Sequence, residues 1–592
     1  MTVYESIYKG ATFLLDPNYQ YTGYRVPTGS LGGTTSIQTA NQLKEVNNLL
    51  NQGMKNTEIS VINPEVFEMI PKEQFKEINR LNKLTGAEST LHAPTLDPSG
   101  FGEQGWSEEQ RQAVERQFTE FVKRSHDLDP KGNIPVTIHA SVIHGSEIIP
   151  EKDKEGQYKF GRIIAVDTES GKPVPMEREK RYYPTHPEEL GTGKQGRTYE
   201  PEEELEIANT SYWDNQLSQV IYYKERGDEI LRNNLPLIQG ANPEELTPEQ
   251  KAAQQMVNNG QIYLKNTMQS LSGLFNQAYK SSNPETQEAL KKASENFKET
   301  FDKYQKNPAN VGLFSGALQN LIDNMRVITD PPRELEAKGI QTPHKYVPIE
   351  EFAKDKASET LSTVALKNYK EFGSTSPIIS IENPPYGQAF ASGDDLKKLV
   401  EETRKKFTEK LVAEGKSKSE AEKTAEKLIG ATWDTSHIAM IRKQGFKNEM
   451  ITEQTKAIAP FIKHVHFNDN FGSTHTDLPP GMGSVPIKDI LEVLEKNKVK
   501  GKRIFEGGNF FQHFQKSPFP YTLSWSGSPM YSENGGPYFN QMGGLGAYYM
   551  GQGPINPAVH HSVYGAGFTT LPVELGGEMQ GQQSRFSGAP NQ

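Results

Sequence analysis

Short runs of β-branched and aromatic residues alternate with longer runs whose apolar residues recur every three or four positions. The short runs predict strands over 29–33, 57–62, 88–92, 134–140, 377–382, 429–434, 461–467 and 502–506. The longer runs predict helices over 37–52, 72–84, 107–125, 394–414, 451–460 and 486–497, with the fifth position of this series preceded by a Lys/Glu-rich extension of 394–414 to Leu428. Ser107, followed by Glu108 and Glu109, reads as a helix N-cap with acidic residues in the first turn. Strands and helices that alternate at this size imply parallel pairing with crossover helices. Eight such units suggest a closed barrel, so the fold class is α/β, a (β/α)8 TIM barrel.

The rhythm stops after the fourth strand and is expected to resume at Pro377. The interruption, 145–345, opens on a hairpin pattern around Glu169-Ser170-Gly171-Lys172. Helical patterns then cover 202–232, 248–280, 284–305 and 309–328. This reads as a large helical insertion after strand 4. The chain thus divides into an N-terminal extension 1–28, a first barrel part 29–144, the insertion 145–345, a second barrel part 346–514 and a tail 515–592. The tail is rich in glycine and in aromatic residues such as Trp525, Tyr538, Phe539, Tyr548 and Tyr549. Such composition is usual in a disordered or loosely packed extension; the alternative is that side chains of that size favour burial, which suits a strap over the barrel or a contact that makes a homo-oligomer, and the insertion offers a second such surface.

Composition narrows the chemistry. Apolar residues make up 34% of the chain and the formal net charge is −10, which argues against a general basic coat for nucleic acid. There is no cysteine, so a bound metal must be held by His, Asp and Glu. The first twenty residues lack the pattern of a signal peptide, and no apolar run approaches a membrane span; a cytoplasmic protein is expected.

Polar residues collect where the predicted strands end. They are His92, His139, Glu382, Asp434, His466 and Glu506, with His437, His475 and Asp477 in the loops that follow. A barrel brings its strand ends to one mouth. Carboxylates gathered there would repel, and divalent cations relieve that repulsion. A cysteine-free set of His, Asp and Glu suits Zn²⁺ or Mn²⁺. His464 shares a strand face with His466 and reads as a core residue behind it. His144 is a weaker candidate, and Asp469 reads as a residue that structures its loop.

The motifs LHAP, TIHAS, SIENPPYGQ, WDTSHI, HFNDN and IFEGG, in this order, resemble the xylose isomerase-like TIM barrel superfamily. Within it they are most similar to endonuclease IV, the zinc-dependent abasic-site endonuclease. The resemblance covers roughly 30–140 and 375–510. It implies a core of Glu382, Asp434, His466 and Glu506, and up to three metal ions in all. Glu382 would bridge two ions. His92 and His139 would complete the first, and Asp434, His466 and Glu506 the second. His437, His475 and Asp477 would hold the third. The endonuclease branch usually has Asp-x-His where this chain has His475-Thr476-Asp477, which still offers one nitrogen and one oxygen two residues apart. The loop Thr95-Leu96-Asp97-Pro98 lacks the aromatic that the branch places near DNA.

Three functions follow from this reading. The first is a metal-dependent hydrolase, a phosphodiesterase acting on abasic DNA, with Glu382 or Glu506 steadying the attacking hydroxide. The second is a sugar or sugar-phosphate isomerase or epimerase, in which Glu382 and Glu506 move protons on a small sugar. The third is a barrel without catalysis, kept as a scaffold in an assembly.

Overall fold

The eight strand runs close into a barrel in the computed structural model of the chain. It describes residues 31–507 and Pro518, apart from 53, 62, 155, 182–196, 242–244, 307–309, 473, 481 and 500. The expectations for the extension 1–28 and for nearly all of the tail lie outside the described residues.

The barrel strands are β1 (Leu31–Thr34), β2 (Asn56–Ser60), β3 (Glu88–His92), β4 (Pro135–His139), β5 (Ile378–Glu382), β6 (Ile429–Asp434), β7 (Ile462–His466) and β8 (Lys502–Phe505). They pair in parallel in the order β1-β8-β7-β6-β5-β4-β3-β2, and β2 closes on β1. Each lies next to its sequence neighbour, as the (β/α)8 architecture requires. The β1–β2 approach is tight: a Cβ on Gly32 would lie 2.2 Å from the Asn56 carbonyl oxygen.

Alternation along the strands separates two environments. Ile59, Leu91, Ile138, Ile381, Trp433, Val465 and Phe505 are buried apolar residues of one parity. The other parity is polar and faces the barrel interior. Thr137 Oγ1 lies 3.1 Å from Thr432 Oγ1, which bonds Ser380 Oγ at 2.7 Å. Thr90 Oγ1 donates to Glu58 Oε2 at 2.7 Å. Two residues further along each strand, the same parity delivers His92, His139, Glu382, Asp434 and His466 to the mouth. Register holds them level: Glu382 pairs with His139, and Asp434 with His466.

Two helical expectations are corrected. The run 394–428 is two helices, Gly393–Ala413 and Lys418–Leu428. Gly415 at φ 94° turns the chain between them, and Ser417 caps the second by accepting from the Glu420 amide. The rhythm also resumes earlier than Pro377, with helix Ile349–Phe372. That helix lies against Glu108–Ser125 and Gly393–Ala413, tied by Arg111 Nη1 to Thr360 Oγ1 at 3.0 Å and Lys410 Nζ to Glu359 Oε1 at 2.8 Å.

The chain divides into two compact units, Met1–Phe160 with Ile349–Gln592, and Gly161–Pro348. In the second unit, the hairpin pairs Arg162–Val166 with Pro173–Glu177. Four helices follow: Pro201–Ile238, Pro248–Lys280, Pro284–Lys306 and Val311–Thr329. Their shared core includes Trp213, Leu264, Leu290, Phe314 and Met325. The first two cross closely where Gly227 meets Gly260; a Cβ on Gly260 would lie 2.9 Å from Leu231 Cγ. Among the described residues no helix is long and apolar enough to cross a membrane.

Candidate metal centre

The structure brings all nine residues marked in the sequence to the mouth of the barrel. Glu382, at the end of β5, is central and fully buried. Its Oε2 lies 3.1 Å from His92 Nε2 and 3.1 Å from His139 Nε2, and its Oε1 lies 2.5 Å from His466 Nδ1. Glu506, just past β8, approaches the same rings, 3.4 Å from His466 Nδ1 and 3.9 Å from His92 Nε2. Glu382, Asp434, His466 and Glu506 form one group whose ligand atoms lie within 4.8 Å of one another; His92, His139 and Glu382 form a second. His437, His475 and Asp477 form a third.

Local structure aims these groups. Asp434 caps the short helix Thr435–Ala439: its Oδ1 accepts from the amides of Ser436 at 2.7 Å and His437 at 2.8 Å. That spends Oδ1 on the backbone and leaves Oδ2 to the mouth. The cap also delivers His437 beside Asp434. Asp477 sits at φ 44°, a conformation that a short polar side chain tolerates. There its Oδ1 lies 3.0 Å from His475 Nε2 and 3.1 Å from Ser436 Oγ. The reversed order of His475 and Asp477 therefore still places a nitrogen and an oxygen together. Asp469 structures the loop as expected, accepting from the amides of Asn470 at 2.8 Å and Val485 at 2.9 Å.

Sequence reasoning missed three polar residues of the site. Asn383 accepts from the Asp434 amide at 2.8 Å, and its carbonyl lies 2.8 Å from His437 Nδ1. Asn468 donates to Asp434 Oδ2 at 2.6 Å and to Glu506 Oε2 at 3.2 Å. Both stand beside motif residues, which was the available signal. Glu58 on β2 lies 2.8 Å from His464 Nε2 and 2.8 Å from His466 Nε2. A carboxylate in the middle of the β-branched run TEISVI was its signal. His464 faces Glu58 one layer below the mouth, while His144 is exposed and bridges Gln388 through the backbone.

Burial and the neighbouring charges shift the titration of these groups. Burial opposes charge on His92, but Glu382, Glu506 and Glu58 outweigh it and hold its pKa at about 9. Burial likewise opposes His466, and Glu382, Glu506 and Glu58 push it well above the usual imidazole range. Burial, with Glu382 and Asp434 nearby, raises Glu506 to about 8. Glu382 stays well below the usual carboxylate range despite burial, because His466 and His139 face it. In the outer group, Asp477 overrides burial and raises His475 to about 9, while burial and the His475 charge lower His437.

The donor set fits divalent ions. His92 Nδ1 faces the Ala93 carbonyl at 2.8 Å, so that nitrogen carries a hydrogen and Nε2 points a lone pair or a second proton at Glu382. His437 Nδ1 faces the Asn383 carbonyl in the same way, and its Nε2 lies 2.8 Å from His475 Nε2. Two ring nitrogens, or a ring nitrogen and a carboxylate, can face each other at such distances only around a proton or a cation. A carbonyl on the far nitrogen is the usual support for a metal-binding histidine.

Among the comparisons with known proteins, the family match agrees with the fold over part of the chain. The family described as xylose isomerase-like TIM barrel matches residues 390–510, the stretch that carries Asp434, His437, His466, His475, Asp477 and Glu506. The motif resemblance to that superfamily thus holds over this part of the chain. No curated protein matches. Among solved structures, a D-tagatose 3-epimerase-like protein is similar at 12% identity, covering 81% of this chain and 91% of that one with a TM-score of 0.35. A likeness of that degree carries no argument about activity.

Proposed function

We propose that the chain is a metal-dependent phosphodiesterase resembling endonuclease IV, with up to three Zn²⁺ ions at the barrel mouth and abasic DNA as its substrate. The observation that supports this most is the third group. His437, His475 and Asp477 stand beside the buried core and share its electrostatics, giving one more ion subsite than a sugar isomerase needs.

Bound divalent ions would lower the pKa of a water and neutralise charge on a phosphoryl group. The chain's own residues do the rest. Glu382 places His92, His139 and His466 around one carboxylate. Glu506 is 18% exposed where Glu382 is sealed, so it can reach the attacking water and hold its proton. Asn468 keeps Asp434 and Glu506 apart through one amide group. Mn²⁺ suits the same donors.

The test is cleavage of a duplex carrying a single tetrahydrofuran abasic analogue. Cleavage 5′ to the analogue that EDTA abolishes and Zn²⁺ restores is expected. A zinc-loaded protein that leaves the duplex intact over hours refutes the proposal.

A sugar isomerase or epimerase is the second reading, favoured by one observation. Glu382 and Glu506 both approach the His92 and His466 rings, a carboxylate pair that could pass a proton across a hydroxy-ketone. Metal-dependent exchange of solvent deuterium into candidate sugars would establish it in place of the first.

A further inference from the structure

Glu58 lies on β2, a strand that contributes nothing to the nine mouth residues. It is fully buried in the layer beneath them. Its Oε2 accepts from Thr90 Oγ1 at 2.7 Å and lies 2.8 Å from His464 Nε2. Nδ1 of His464 has no hydrogen-bond partner, so Nε2 is the nitrogen that carries the hydrogen and donates to Glu58. The other oxygen, Oε1, lies 2.8 Å from His466 Nε2, at ion-pair distance though out of line for a good hydrogen bond. His466 therefore sits between carboxylates: Glu58 on Nε2, and Glu382 on Nδ1 at 2.5 Å.

An imidazole binds a cation through one nitrogen when the other keeps its hydrogen, and the acceptor on that other nitrogen decides the outcome. Resting on the metal reading above, we propose that Glu58 is a positioning residue. Its charge, 2.8 Å from His466 Nε2, holds the imidazole hydrogen on that nitrogen and so leaves Nδ1 bare towards Glu382, Asp434 and Glu506 for a divalent ion. Thr90 and His464 hold the carboxylate in place. Burial disfavours the charge on Glu58, yet the His466 and His464 rings outweigh it and keep the carboxyl well below its usual range.

Glu58, His464 and His466 could also be read as an ion site of their own. Their bonding disfavours it. Glu58 Oε2 already takes two donors, His464 turns its N–H rather than a lone pair towards Glu58, and all three side chains are fully buried.

The experiment is a Co²⁺ titration of the EDTA-stripped chain, followed by visible absorption, with Glu58→Gln and His464→Gln beside the wild type. Glu58→Gln is expected to weaken binding at the Glu382/Asp434/His466/Glu506 group about 10–100-fold without changing the number of ions bound at saturation. Loaded with Zn²⁺ and labelled with ¹⁵N in its imidazoles, the wild type should show a slowly exchanging His466 Nε2–H that Glu58→Gln loses. His464→Gln should keep that resonance. Thr90→Val, which removes only the hydroxyl bond to Glu58, serves if Glu58→Gln does not fold; about a fivefold loss is expected, the worth of one buried hydrogen bond. Affinity within about twofold of wild type in both variants overturns the proposal. So does the loss of one ion from the stoichiometry of Glu58→Gln, which would make Glu58 a ligand. A wild type that binds no Co²⁺ refutes the metal reading and this role together. A wild type that binds Co²⁺ but cleaves no abasic DNA refutes the phosphodiesterase alone, and the Glu58 comparison still stands.

Discussion

Filling the barrel mouth with divalent ions must expel protons, and the metal-free geometry says roughly how many. His92 and His475 titrate at about 9, Glu506 at about 8, and His466 well above the usual imidazole range. At pH 7 all four carry a proton at an atom that an ion needs. For His92 that atom is Nε2, because Nδ1 is engaged with the Ala93 carbonyl. Complete loading at pH 7 should therefore release about four protons. At pH 9 the first two are half-deprotonated and Glu506 almost wholly so, and the count should fall to about two. The raised His92 pKa, 6.5 to about 9, is worth about 3 kcal/mol to the metal-free fold. Its sign follows from the direction: the contribution is fully present below pH 6.5 and is lost as pH rises through 9. Higher pH thus weakens what competes with the ions. The His475 side chain is 38% exposed, so solvent screens its pair with Asp477. Calorimetric titration of Zn²⁺ into the stripped chain, repeated in buffers of different ionisation enthalpy, reads the proton count directly. Release of less than about one proton at pH 7, or a count that does not fall by pH 9, would refute the view that protons stand where ions bind.

Three further outcomes follow. Asp477→Asn should remove the outer ion, leave two, and slow abasic-site cleavage on the order of 10²–10³-fold; unchanged zinc content would contradict it. Burial raises Glu350 from 4.5 to about 7, so the fold prefers it neutral; this contribution is present below pH 4.5 and is lost as pH rises through 7. Urea unfolding should show up to about 3 kcal/mol of that loss, and Glu350→Gln should flatten it; an unaltered slope would be the contrary result. Gly32→Ala, whose Cβ would meet the Asn56 carbonyl, should cost about 2 kcal/mol or more in the same assay.

Much of the barrel was legible because its strands carry two messages at once. Parity puts Ile381 against the helices and Ser380 and Glu382 inside, so one pentapeptide, IISIE, marks both a strand and a ligand. The helix Ile349–Phe372 was not legible. Its buried face is largely Ala353, Ala357, Ser358, Thr360, Ser362 and Ala365, small residues that leave a faint apolar period. The break at Gly415 was hidden inside a Lys/Glu run that favours helix on either side. Glu58 escaped notice for a different reason. No motif contains it, and only the closure of the barrel sets β2 near β7, with Glu58 and His464 standing 406 positions apart in the chain.

On the proposed function, three ion subsites share one mouth. Zinc per chain by elemental analysis, with the positions fixed by anomalous diffraction from crystals of the reconstituted protein, tests it most directly. Three ions are expected, one by His92, His139 and Glu382, one by Asp434, His466 and Glu506 with Glu382, and one by His437, His475 and Asp477. A single ion in the core, with nothing at His437, His475 and Asp477, would contradict the claim and favour the isomerase.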